Sequence, residues 1–218
     1  MTATLYRWPD HGRVDRSVPK ERLYAEAGVS AKLKQQFVDD VQRIRWAYKI
    51  GVESVRLAPV EPFDEFQVFE VDLKGADLTD GVLKAIDMAI PSPIIFELTR
   101  PTGEIQVVAA RKELGVRGPR LSSYFRSNWQ SNGVGRRDLP PALNLPGLYE
   151  AILTSLLAVT GRPGEGLSEA IERMARVTQL EREIGTLTRR LRTEPQLNRK
   201  IELRRELKAK QATLEELK

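Results

Sequence analysis

The chain has 218 residues, a formal net charge of +5 and no cysteine. This length exceeds the usual size of one domain, so we expect either a compact domain with an appended segment or two small domains. The lack of cysteine excludes disulfides and thiolate chemistry, and no apolar run approaches the roughly 18 residues that a membrane-spanning helix needs. We therefore predict a cytoplasmic protein that has no membrane partner.

The first strong periodicity predicts one amphipathic helix over residues 30–51. Ser30 is a good N-cap residue, and Gly51 is a suitable stop. Between them, apolar residues recur at helical spacing, at Leu33, Phe37, Val41, Ile44 and Tyr48.

The middle of the chain predicts an α+β core. In EFQVFEVDLKG, apolar and charged residues alternate as in a half-buried strand. DLTDGVLKAIDMAI predicts a short helix with Asp77 or Thr79 as N-cap, and IIFEL and EIQVVAARK predict a β-hairpin closed by RPTG. SSYFRSNW indicates an edge strand, in which Phe125 and Trp129 face the core, and residues 147–160 predict a further helix. The predicted fold class is α+β, with a small mixed sheet and flanking helices.

The segment GRPGEG, residues 161–166, is the clearest boundary in the sequence. Beyond it, apolar residues follow alternating spacings of three and four, which is the pattern of a coiled-coil seam. Pro195 interrupts this pattern, and a proline inside a helix costs about 3 kcal/mol. We therefore predict a core domain at 1–160, a linker at 161–166 and an antiparallel helical hairpin at 167–218. The seam offers a contact surface for a partner or for a second copy, through Leu180, Ile184, Leu187, Leu191, Leu203 and Leu207.

Basic side chains outnumber acidic ones in residues 100–138, by eight to three. Arginine and lysine contact phosphates, and such binding weakens with salt. Candidate nucleic-acid contacts are therefore Arg111, Lys112, Arg117, Arg120, Arg126, Arg136 and Arg137. The hairpin provides an alternative set that could follow a phosphate backbone or only form solvated helix faces, at Arg189, Arg190, Arg192, Arg199, Lys200, Arg204 and Arg205.

Residue types argue against several catalytic chemistries. The single histidine, His11, lies in a polar segment, and no Walker-type phosphate loop is present. We predict no catalytic residue, no metal and no cofactor. The alternative is a metal-dependent nuclease that uses the strand carboxylates of Glu70, Asp72 or Glu97, with Lys74 or Lys112 beside them.

Five segments of the chain carry a resemblance: VPKERLY, IRWAYKIG, EFQVFEVDLKG, AIDMAIPSPIIFEL and EPQLNRKIELRRELK. From about Val18 to its end, the chain resembles an uncharacterised prokaryotic family, DUF4391, a domain of unknown function. The resemblance implies a genomic setting beside SNF2-type helicases and DNA methyltransferases, in islands that look like restriction or phage-defence systems.

These observations favour a non-catalytic accessory subunit of a DNA restriction or phage-defence complex. DNA would bind to the basic middle region, and the hairpin would dock a helicase, a methyltransferase or a second copy in a homodimer. Two alternatives stay open at this point: the metal-dependent nuclease, and a purely structural adaptor that binds only protein.

Overall fold

A computed structural model describes residues 5–113, 115, 118–157, 162 and 165–218. The chain divides into two compact units, Met1–Leu156 and Leu157–Lys218. The predicted linker at 161–166 begins a few residues after this division. The first unit is an α+β domain, and the second is a pair of packed helices, as the sequence predicts.

In the described part of the first unit, seven strands form one mixed sheet in the order β1-β2-β3-β4-β5-β6, with β7 also paired to β5. β3 and β4 are parallel, and the other neighbours are antiparallel. The strands are β1 (Arg13–Ser17), β2 (Val41–Gly51), β3 (Glu65–Leu73), β4 (Ile94–Thr99), β5 (Glu104–Glu113), β6 (Arg120–Arg126) and β7 (Gln130–Ser131). The helices of this unit are α1 (Lys20–Ala27), α2 (Ala31–Asp40), α3 (Val52–Val55), α4 (Asp80–Ala89) and α5 (Leu145–Leu156).

Alternation along β3 assigns side chains to the two faces of the sheet. Phe69 is fully buried in the cluster that contains Phe37 of α2 and Ile86 of α4. Phe66, on the other face, packs against Tyr149 of α5, with ring centroids 5.4 Å apart. Helices therefore cover both faces, which explains why the strand interior is so apolar.

The prediction of one helix over residues 30–51 is wrong in its second half. Ser30 does cap α2, since its Oγ accepts from the backbone N–H of Leu33 at 3.3 Å, but the helix ends at Asp40. The chain then continues as β2, whose pairing with β3 shifts twice. Each shift sets two residues of β2 opposite one of β3, which is a β-bulge. The bulges reset the alternation, so that buried residues fall three apart and imitate a helix, at Val41, Ile44, Ala47 and Ile50.

The other predicted elements of this unit are confirmed. β3, α4 and the antiparallel β4–β5 hairpin lie where the sequence places them, and β6 is an edge strand. The helix predicted at 147–160 is α5, which starts earlier, at Leu145, and ends earlier, at Leu156. Residues 158–160 of that prediction lie outside the described residues.

The second unit contains α6 (Leu167–Thr193) and α7 (Leu197–Leu217), which pack against each other. Ion pairs fix their antiparallel orientation: Glu183 meets Lys210 at 2.7 Å, and Glu181 meets Lys218 at 3.2 Å. Pro195 lies in the turn between them, as expected for a residue that interrupts a helix.

Candidate functional site

The basic middle region of the sequence, residues 100–138, is largely engaged inside the α+β unit. Arg136 directs both terminal nitrogens at Glu97, at 2.8 and 2.6 Å, and also donates to the carbonyl of Tyr6 at 2.8 Å. Glu97 is only 2% exposed and accepts a further bond from the indole N–H of Trp8 at 2.7 Å. The bond to Glu97 raises the pKa of the Arg136 guanidinium. This arginine therefore neutralises a buried carboxylate.

Arg126 is similarly occupied. Its guanidinium reaches Asp80 at 2.7 Å, Asp77 at 3.3 Å and the carbonyl of Leu78 at 2.9 Å, all at the start of α4. It also donates to the side chain of Gln106 at 3.2 Å. The residue thus ties the edge strand β6 to α4.

Lys112 has a fully buried side chain. Its Nζ donates to the carbonyls of Asp87 at 2.5 Å and Ser92 at 3.3 Å, and to that of Ile90. A lysine can satisfy the orphan carbonyls at a helix C-terminus in this way, and here it completes the end of α4. Lys112 is thereby withdrawn from any surface that a phosphate could reach.

The remaining candidates of this segment differ in exposure. Arg120 and Arg137 are exposed, whereas Arg111 is half-buried, 3.8 Å from Glu113. Arg117 lies outside the described residues. Among the described candidates, only Arg120 and Arg137 are therefore exposed.

The aromatic residues near these arginines are mainly structural. Phe125 is buried in the core, as predicted. Trp129 is half-buried rather than fully buried, and the guanidinium of Arg100 lies 3.7 Å from its ring centroid, a cation–π contact. Tyr124 donates to Asp87 Oδ2 at 2.6 Å.

A buried polar cluster joins Asp87 of α4, Lys112 of β5 and Tyr124 of β6. Burial raises the pKa of Asp87 to about 6, lowers that of Lys112 and raises that of Tyr124. Asp87 Oδ1 lies 3.8 Å from the lysine Nζ and has no hydrogen-bond partner within the described structure. These shifts all favour neutral side chains, because charge is costly in an apolar interior.

The strand carboxylates of the nuclease alternative are each paired with an arginine. Glu70 binds Arg45, whose pKa this bond raises, and Asp72 meets Arg43 at 2.7 Å. Glu97 holds Arg136, as described above. Over the described residues, no group of three or more histidine, aspartate or glutamate side chains is placed to hold a metal ion. The carboxylate oxygens are engaged by guanidinium groups, so the geometry does not favour a metal centre here.

The hairpin presents a different arrangement. We define the hairpin tip as residues 184–205, which contain seven basic and two acidic side chains, whereas the rest of residues 165–218 holds six basic and eight acidic ones. Six of the seven tip cations are exposed and Lys200 is half-buried. Arg199 lies 3.9 Å from Glu194, and Arg189 bonds within its own helix. The side chains of the other five make no hydrogen bond or ion pair with the described chain: Arg190, Arg192, Lys200, Arg204 and Arg205.

The predicted partner-binding residues lie along the hairpin. Leu180, Leu187 and Leu203 are buried, and three others are half-buried, namely Ile184, Leu191 and Leu207. Because α6 and α7 pack on each other, these side chains are the seam of the hairpin itself rather than a free apolar face.

Sequence reasoning did not foresee the partners of the buried charges. Trp8 and Glu97 are 89 positions apart, and Arg136 and Glu97 are 39 apart, so no local pattern links them. The concentration of charge at the hairpin tip could have been found, by counting charges separately at the two ends of the predicted hairpin.

Together, fold and surface define an α+β protein with a helical hairpin whose tip is basic. A family model described as domain of unknown function (DUF4391) matches residues 7–214, and the chain belongs to that family. No curated protein and no solved structure matches the chain. Among the described helices, none is both long and apolar enough to cross a membrane.

Proposed function

We propose that this protein is an accessory subunit of a DNA restriction or phage-defence complex and that it contacts the phosphate backbone of DNA through the hairpin tip. The observation that carries the proposal is the set of exposed cations at the tip that lack an acidic partner in the described chain. Cations with no internal partner are available to replace the counterions condensed on DNA.

The tip is a better phosphate-binding surface than the basic middle region. Arg136, Arg126 and Lys112 each hold carboxylates or carbonyls of their own unit, and releasing them would leave those groups unsatisfied. Arg190, Arg192, Arg204 and Arg205 can bind a ligand without breaking side-chain contacts within the described chain. A helical hairpin also places two basic helix ends side by side, so one phosphate strand can be followed over several contacts.

The restriction or defence setting rests on the resemblance to the family, whose members are commonly encoded beside SNF2-type helicases and DNA methyltransferases. We propose a protein of one of these classes, or a second copy of this chain, as the protein partner in the cytoplasm. Since the seam leucines hold the hairpin together, that partner would bind an outer helix face or the α+β unit.

The proposal is tested by fluorescence anisotropy with labelled duplex and single-stranded DNA over a series of salt concentrations. The double variant Arg190→Glu, Arg204→Glu should bind at least tenfold more weakly. For B-DNA, each lost phosphate contact should also make the slope of log affinity against log salt shallower by about 0.9.

A matched control separates the tip from net charge. The double variant Lys32→Glu, Lys34→Glu makes the same change in net charge on α2, where both lysines are exposed. It should bind within about twofold of the wild-type affinity, because neither lysine belongs to the hairpin tip that the proposal assigns to phosphate contacts. Equal weakening by both double variants, or no salt-dependent binding by the wild type, would contradict the proposal.

The nuclease alternative is addressed in the same samples. Addition of Mg²⁺ or Mn²⁺ followed by gel analysis should leave the DNA intact. DNA cleavage that is lost in Asp72→Ala while folding is preserved would favour the enzyme instead.

A further inference from the structure

The hairpin tip also carries an exposed apolar residue at its end. Leu197 is the first residue of α7 and is 70% exposed, and Ile201, one turn later, is 41% exposed. The leucines of the seam are buried or half-buried by comparison. Leu197 is therefore largely accessible to a ligand and is not part of the buried seam between the two helices.

The surroundings of Leu197 indicate what could cover it. Within the tip, the basic side chains outnumber the acidic ones by seven to two, and Arg192 and Arg199 flank the leucine in sequence. A second copy meeting tip to tip would bring two strongly positive surfaces together, which is unfavourable. A partner that complements both the exposed leucine and the positive charge around it must present an apolar slot surrounded by negative charge. The step between two neighbouring base pairs of DNA, with phosphates on either side, has this chemistry.

Leucine is one of the side chains that proteins insert between bases. Such a wedge partly unstacks a base step, at a cost of a few kcal/mol that is smallest where stacking is already interrupted. In such a complex, phosphate contacts made by the surrounding cations would position the apolar side chain at the open step. The length of α7 behind Leu197 gives the wedge a firm support, since the helix continues to Leu217.

We propose that the hairpin tip recognises duplex DNA with an interrupted stack, such as a mismatch or a bulge, by inserting Leu197 into the open step. This inference rests on the proposed function, because the phosphate contacts of the tip position the wedge. The preferred substrate of the tip is then duplex DNA with an interrupted stack, and Leu197 is the inserted side chain, a role that the charge pattern alone does not predict.

The experiment compares a perfect duplex with the same duplex carrying one bulged nucleotide, with 2-aminopurine beside the bulge. Wild-type protein should bind the bulged duplex more tightly and increase the 2-aminopurine fluorescence as the base unstacks. Leu197→Ala should lower affinity for the bulged duplex about fivefold, which corresponds to about 1 kcal/mol, and leave the perfect duplex within about twofold. The increase in fluorescence should disappear.

The control is Leu143→Ala, which removes a leucine that is 96% exposed on the α+β unit. It should retain the wild-type preference and the fluorescence change. Circular dichroism should show unchanged helix content in Leu197→Ala, since alanine is the best helix former.

The outcomes separate this inference from the proposed function. Equal affinity of the wild type for both duplexes, or a bulge preference that survives in Leu197→Ala, would overturn the wedge and leave phosphate binding by the tip intact. Absence of binding to either duplex at low salt would overturn both.

Discussion

Arg136 and Glu97 form a two-pronged ion pair in which the carboxylate is 2% exposed and the arginine side chain is 32% exposed. The pair links the loop after β7 to the centre of the sheet, and the indole N–H of Trp8 completes the bonding of the carboxylate. An arginine that appears in the sequence as a candidate for phosphate binding thus stabilises the interior of the domain.

We expect Arg136→Met to lower the free energy of unfolding by about 3 kcal/mol, because Glu97 would keep a buried charge without its partner. Urea denaturation monitored by tryptophan fluorescence provides the measurement. The control Arg137→Met changes an exposed neighbour and should stay within about 0.5 kcal/mol of the wild type. The double variant Arg136→Met, Glu97→Gln should cost less than the sum of the single changes, since it removes the buried charge. Additive costs would show that the two residues do not act as a pair.

We expect Asp87 to make the stability of the α+β unit depend on pH. Its folded pKa is about 6, above the ordinary value of 3.8, so the folded state favours the protonated carboxyl. Ionisation of Asp87 therefore lowers the free energy of unfolding. This loss of stability is absent below about pH 4, grows as the pH rises from the ordinary pKa to the folded pKa, and is complete above about pH 6. In Asp87→Asn this loss is removed, so stability relative to the wild type should rise by up to about 3 kcal/mol between those limits.

This dependence is measured as the difference in free energy of unfolding between Asp87→Asn and wild type from pH 4 to pH 7. Asparagine can still accept the bond that Tyr124 donates, so the packing of the site is retained. The matched control is Asp64→Asn, which alters an exposed aspartate just before β3. A difference for Asp87→Asn that does not change with pH would contradict the assignment.

We expect the seam residues to stabilise the hairpin whether or not a partner is present. Leu187→Ala should cost about 2 to 4 kcal/mol of hairpin stability, because it leaves a cavity between two packed helices. Ile201→Ala, at an exposed position on α7, should cost less than about 1 kcal/mol. Thermal denaturation followed by circular dichroism at two protein concentrations measures both. A loss in Leu187→Ala that depends on concentration would instead place this residue in a contact between copies.

Local patterns in the sequence predict most of the architecture. Alternation predicted β3, the RPTG turn predicted the β4–β5 hairpin, and Pro195 with the apolar spacing predicted α6 and α7. These features depend on interactions between residues close in sequence, which is why composition and spacing are enough to indicate them. The same kind of reasoning failed for β2, because two bulges gave its buried residues a spacing near that of a helix.

The sequence by itself determined the α+β class, the appended helical hairpin and the inventory of charged side chains. Only the tertiary structure decided which of those charges are available. Arg136, Arg126 and Lys112 bind groups brought near them by strand pairing and by the packing of α4, whereas Arg190 and Arg204 have no such neighbours within the described chain. The physical reason is that an ion pair needs proximity in space, and long-range proximity is set by strand register and helix packing rather than by spacing along the chain.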